Sequence, residues 1–113
     1  VVSLHIHANP ENICLIDNEL LLNSKSNQVL INTSRGEVVD ETAICKKVDV
    51  CKDFLYYTDV LSNEHKNLSE NLLYNSENYG KQIIITPHCG GMTSDARELA
   101  YHHAADLLID SLN

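Results

Sequence analysis

Positive charge is scarce in this chain. Eight basic residues, two of them arginines, stand against 16 acidic ones, for a formal net charge of -8 over 113 residues, and no lysine or arginine stripe forms along it. Nucleic acid and anionic membrane surfaces are therefore poor partners. Long apolar runs are missing too: none approaches the roughly 20 residues that a membrane helix needs. The opening VVSLHIHANP has neither the basic start nor the small-residue cleavage site of a secretory signal. The four cysteines, Cys14, Cys45, Cys51 and Cys89, form no CxxC pair, which suits reduced thiols and a cytoplasmic location. The Asn-x-Ser/Thr triplets at Asn32 and Asn67 then read as chance matches. Internal repeats and low-complexity tracts are absent, and the length fits a single domain. The chain opens at Val1, without a methionine and inside what reads as a strand, so part of a longer protein is expected.

What is present alternates regularly. VVSLHI (1–6), QVLIN (28–32) and QIIITP (82–87) are short, β-branched and almost wholly apolar, as strands buried on both faces are. DFLYYTDV (53–60) is a fourth, more mixed candidate. Helical starts lie between them. Asp17 is placed to cap NELLL with Ile16 and Leu21 as a hydrophobic staple, and Asp40 to cap ETAICKKV with Val39 and Ile44 likewise. In the last segment Ala96, Leu99, Ala100, His103, Ala104, Leu107 and Leu108 recur at helical spacing behind Thr93, Ser94 or Asp95 as cap. That spacing predicts a long amphipathic helix with His103 toward the core and His102 toward solvent. Residues 63–81, with asparagines at 63, 67, 71, 75 and 78, read as a long surface loop with room for one short helical turn. Strands alternating with helices predict an α/β fold, a parallel sheet with right-handed crossovers, about four strands and three helices.

In such a sheet ligands sit at the carboxyl ends of the strands, so the informative residues are those that follow each strand. Thr33, Ser34, Arg35 and Gly36 follow the second, Asp59 and then Glu64 the third, and Pro87, His88, Cys89, Gly90 and Gly91 the fourth. Arginine offers a planar fork that binds a carboxylate through two charge-assisted bonds. Histidine exchanges a proton with a hydroxyl near neutral pH, and a glutamate on its other ring nitrogen fixes the tautomer. Oxidation of a 2-hydroxy acid needs this set beside a hydride acceptor. Each residue also has a plainer reading: Arg35 as a surface ion pair, Glu64 as a solvated loop residue, Asp59 as a turn cap, His88 as a loop cap, and Cys89 as a packing residue. His5 and His7 alternate onto one strand face and His102 adjoins His103, yet neither pair has further ligands at metal-site spacing, so no metal site is expected.

VVSLHIHANPENICLID, VLINTSRGEVVDETAI, DVLSNE and IIITPHCGGMTSDARELA, in that order and over nearly the whole chain, resemble successive motifs of the D-isomer-specific 2-hydroxyacid dehydrogenases. The resemblance implies the second half of a Rossmann-like NAD-binding domain spanning residues 1–113. It implies catalytic roles for Arg35 (substrate carboxylate), Glu64 (support of the histidine) and His88 (acid and base). Asp59 would hold the nicotinamide carboxamide; Thr33, Ser34, Arg35 and the turn His88, Gly90, Gly91 would lie beside that ring, and His5 and Ile6 near the ribose and pyrophosphate. NAD, with NADP also compatible, a 2-hydroxy or 2-oxo acid, and a homodimer in the intact protein are implied as cofactor and partners. The chain departs from the family pattern at His7 and His65, where proline is usual. It also lacks the glycine-rich GxGxxG turn that holds a pyrophosphate, so this piece alone is expected to bind NAD poorly and to be inactive, with an unpaired apolar edge at VVSLHI. Formate oxidation fits less well, since those enzymes carry glutamine where Glu64 stands. A nucleotide-sensing regulator or an inactive remnant of the same fold is the alternative reading.

Overall fold

A computed structural model describes residues 1–64 and 67–112; His65 lies outside them. Four parallel strands, β1 (Val2–Leu4), β2 (Val29–Asn32), β3 (Leu55–Thr58) and β4 (Ile83–Ile85), form one sheet in the order β1-β2-β3-β4. Leu4 stands opposite Asn32, Asn32 opposite Thr58, and Thr58 opposite Ile85. The four carboxyl ends are therefore level, and each following turn leaves from the same edge of the sheet. This is the expected parallel α/β architecture.

The connections explain themselves locally. Helix α1 (Asn18–Asn23) starts where the Asp17 carboxylate accepts from the Leu20 N–H at 2.8 Å. Helix α2 (Glu41–Val50) starts where Asp40 accepts from Thr42 N–H at 2.9 Å and Ala43 N–H at 3.2 Å. Each cap satisfies amide donors that the helix itself leaves open. The residues expected to flank the caps, Ile16, Leu21, Val39 and Ile44, are all buried in one core with Leu30, Phe54, Tyr56 and Ile83. Ile16 also bridges Val39, which joins the two helix entries. The far end of α1 is closed by Lys47 of α2, a buried side chain whose Nζ donates to the Leu21 carbonyl at 2.7 Å and the Ser24 carbonyl at 3.1 Å. A cation there complements the negative end of the helix.

Three expectations are corrected. The first strand ends at Leu4 rather than residue 6, so His5 and His7 lie beyond it and strand alternation does not place them on one face. The sheet is buried on one face only: Leu30, Tyr56 and Ile83 are enclosed beneath α1 and α2, while Tyr57 and Ile84 on the other face are each 37% exposed. The third correction concerns α3 (Ser94–Leu112), whose first turn is capped by the Thr93 hydroxyl accepting from Ala96 N–H at 3.2 Å. It buries none of its residues: Leu99 is 73% exposed, and His103 is exposed like His102. Periodicity identifies an apolar face; it does not supply the surface that covers it.

The segment from 67 to 81 is a loop with one short 3-10 turn, Leu68–Glu70, held down by the fully buried Leu73. Its asparagines work as turn formers. Asn67 accepts from Ser69 N–H, and Asn71 accepts from the N–H groups of Leu73 and Tyr74. No helix among the described residues is long and apolar enough to cross a membrane.

Candidate functional site

At the end of β2 the chain turns about a residue the sequence reading passed over. Asn32 is wholly buried, and its carbonyl oxygen accepts from the Ser34 N–H at 3.1 Å and hydroxyl at 2.8 Å. Its amide donates to the Arg35 carbonyl at 2.9 Å. Burial of a side-chain amide is tolerated because its hydrogen bonds are made inside the turn. The same burial removes Asn32 as a sugar acceptor. With Ser34 drawn inward, Thr33 and Arg35 face outward, and the Arg35 guanidinium donates to the Ser34 carbonyl at 2.7 Å. Among the described residues no carboxylate pairs with it.

Gly36 follows because no side chain fits there. A Cβ at this position would stand 2.0 Å from the Leu61 carbonyl carbon and 2.2 Å from the Ser62 nitrogen. The turn after β2 and the turn after β3 are thus in backbone contact, and the second of them carries Glu64. Its carboxylate accepts from the Leu61 N–H at 2.8 Å through Oε1 and meets His88 Nδ1 at 2.6 Å through Oε2. The ion-pair geometry leaves the His88 side chain 50% and that of Glu64 29% exposed. With Nδ1 committed to a carboxylate, Nε2 is the ring nitrogen left to exchange a proton. His88 itself has φ +51°, a left-handed conformation that a residue with a Cβ seldom adopts.

That conformation is held by Asp59. Its carboxylate accepts from the Thr86 hydroxyl, from Cys89 N–H at 3.1 Å and from Gly90 N–H at 2.8 Å. Burial alone would raise the Asp59 carboxyl, but the bonds from Thr86, Gly90 and Cys89 and the neighbouring His88 outweigh it and hold the group below the usual carboxylate range. At Gly90 a Cβ would come within 3.1 Å of the same carboxylate, so glycine lets the turn close on Asp59; at Gly91 the space is open. Cys89 is exposed, which corrects the packing role expected for it.

The structure therefore brings Glu64, His88, Asp59 and Gly90 together directly, and links Arg35 to them through the contact at Gly36. His5 and Ile6 stand at the same edge after β1, His5 with Nε2 2.9 Å from the Ser3 hydroxyl and Ile6 half-buried against the core. Two hollows adjoin these residues. A cleft of about 500 Å³ has Glu64 and His88 on one side and Leu61, Leu68, Tyr74 and Tyr79 on the other. A shallow depression of about 100 Å³ is lined by Thr33, Asp59 and Thr86 with Ile31, Tyr57 and Ile84. Of the residues that build the site, Asn32 and Gly36 escaped the sequence reading as structural elements. A lone asparagine closing an apolar run before Thr-Ser was the available signal for the first.

The chain matches the model of the D-isomer specific 2-hydroxyacid dehydrogenase NAD binding domain over residues 1–90. It is 35% identical over 98 residues to glyoxylate reductase of Thermococcus litoralis, covering 86% of this chain and 28% of that protein. Against D-lactate dehydrogenase of Lactobacillus delbrueckii subsp. bulgaricus it is 29% identical over 110 residues, covering 85% of this chain and 31% of the relative. The solved structure of D-lactate dehydrogenase from Aquifex aeolicus, complexed with NAD and lactic acid, superposes with a TM-score of 0.74 at 25% identity, over 97% of this chain and 36% of that one. The chain thus spans about a third or less of the length of these relatives. Its parallel sheet and the residues 1–90 that match place it in the D-isomer specific 2-hydroxyacid dehydrogenase family, within the family's NAD binding domain.

Proposed function

We propose that this domain serves an NAD-dependent oxidoreductase that interconverts a D-2-hydroxy acid and its 2-oxo acid, with Arg35, Glu64 and His88 as its reacting groups. The observation that carries the reading is the contact between His88 Nδ1 and Glu64 Oε2 at 2.6 Å, on the edge of the sheet where Arg35 also emerges. During oxidation Nε2 of His88 takes the hydroxyl proton of the substrate, and the Glu64 carboxylate stabilises the imidazolium that forms. During reduction the same nitrogen returns the proton. Arg35, exposed and without a carboxylate partner among the described residues, binds the substrate carboxylate with its fork and polarises the adjacent carbonyl.

The depression between Thr33, Asp59 and Thr86 suits a flat polar ring, having apolar side chains on its floor and hydroxyl and carboxylate groups at its rim. NAD bound there supplies the hydride acceptor. Thr33 and Asp59 would hold the nicotinamide carboxamide, and the turn through His88, Gly90 and Gly91 would border the ring. Ser34 contributes by fixing the turn, since its hydroxyl is spent on Asn32. His5 and Ile6 would lie toward the ribose and pyrophosphate. Because no GxGxxG turn occurs in these 113 residues, the chain by itself binds NAD weakly.

The test is steady-state turnover of a panel of 2-oxo acids with NADH by the protein that carries this domain, before and after His88→Ala. Loss of about 10²- to 10⁴-fold in kcat with NADH affinity retained is expected for removal of an acid and base. Undiminished turnover in the variant would refute the role of His88.

A further inference from the structure

We infer that Glu41 is a positioning residue for the Glu64–His88 pair, holding the turn that carries Glu64 against the start of α2. The inference rests on the dehydrogenase reading above only in calling that pair the reacting one; the contacts stand independently of it. Glu41 is the first residue of α2, and neither carboxylate oxygen serves the helix. Oε1 accepts from the Ser62 N–H at 2.7 Å, 21 residues away in the chain, and Oε2 accepts from the Asn71 side-chain amide at 2.9 Å, 30 residues away. Ser62 lies within the turn in which the Leu61 N–H donates to Glu64 at 2.8 Å. A single carboxylate thus bridges the two halves of the loop that flank Glu64, one at Ser62 and the other at Asn71.

Nothing else described fixes that turn so directly. The contact at Gly36 sets how closely the turn may approach β2, but contact of that kind limits distance without fixing orientation. Two charge-assisted bonds fix both. Burial pulls the Glu41 carboxyl above its ordinary range, with the charges of Glu37 and Asp40 adding to this and the bonds from Ser62 and Asn71 opposing it. A half-buried carboxylate kept in so acidic a neighbourhood is costly to retain unless its two acceptors are used. They are used on the loop, and Glu64 is the residue of that loop in contact with His88.

The test reads the His88 ring directly, by proton NMR of this 113-residue chain. In the parent the Nδ1 proton bound to Glu64 gives a downfield, slowly exchanging signal, and Glu64→Gln sets the loosened reference. Glu41→Ala is expected to speed exchange of that proton about tenfold, the factor that loss of roughly one such hydrogen bond carries, while a thermal melt confirms that the chain is folded. Glu41→Gln is the gentler variant should the alanine not fold. It keeps the acceptor for Ser62 but sets its amide against that of Asn71, and a smaller acceleration is expected. Adding Asn71→Asp lets the glutamine amide donate to a carboxylate, which should restore slow exchange. A folded Glu41→Ala chain with the parental His88 signal would overturn the inference, as would a Glu41→Gln signal identical to the parent's. Either failure leaves the turnover experiment on His88→Ala untouched, and loss of that activity reading leaves this one standing.

Discussion

Replacing Gly36 by alanine adds a single methyl group, and the geometry says how much it displaces. The new Cβ would stand 2.0 Å from the carbonyl carbon of Leu61, 2.2 Å from the nitrogen of Ser62 and 2.3 Å from the Leu61 oxygen. All three are backbone atoms, so no side-chain rotation relieves the clash. Restoring an ordinary separation of 3.4 Å from 2.0 Å requires a movement of 1.4 Å. Applied to the turn, that movement lengthens the 2.7 Å bond between Ser62 and Glu41 past the hydrogen-bonding limit and carries Glu64 off His88. Overpacking of this kind costs about 1–3 kcal/mol, which for a domain of this size lowers Tm by roughly 4–15 °C. A melt followed by circular dichroism measures the stability term. The His88 ring proton measures the displacement of Glu64. A Gly36→Ala chain that melts within a degree of the parent and keeps the ring proton would refute the claim that the two turns meet in van der Waals contact.

Two further outcomes follow from buried polar groups. Lys47→Met keeps the length of the side chain and removes its donors, leaving the Ser24 carbonyl at the end of α1 without the lysine bond. A loss of about 1–2 kcal/mol is expected, read as a lower urea midpoint, and an unchanged midpoint would show that the lysine contributes nothing there. For Asp59 the sign follows from a folded carboxyl held below its ordinary value. Its contribution is complete above the unfolded value of about 3.9 and is lost as pH falls through the depressed folded value. The stability gap between the parent and Asp59→Asn should therefore narrow from pH 7 to pH 3. A gap that stays constant would mean that the carboxylate charge does not hold the 86–90 turn.

What could be read in advance was what depends on near neighbours in the chain. Asp17 and Asp40 cap helices because a cap acts on amides two or three residues away, and the parallel sheet follows from short apolar strands spaced by helices. The level carboxyl edge then locates Arg35, Glu64 and His88 without any side-chain geometry. The supports of that site were less visible, since Glu41 acts across 21 and 30 residues and Gly36 matters only where Leu61 happens to return. Asn32 closes an apolar strand and passed as part of it. The largest misreadings, the bare outer face of the sheet and the exposed α3, share one cause. Hydrophobic spacing reports which surface prefers burial, and the partner surface is a separate fact.

Helix α3 has a thermodynamic consequence of its own. Nineteen residues span about 28 Å, and a helix of that length that buries none of them draws its order from backbone propensity and neighbouring turns, in an equilibrium with coil that is nearly independent of the core. Far-UV dichroism would sum that gradual transition with the cooperative loss of the sheet, whereas the buried ring of Tyr56 would report the sheet alone. The two curves need not coincide, and a single unfolding free energy is then defined for the sheet and its two packed helices, not for the whole chain.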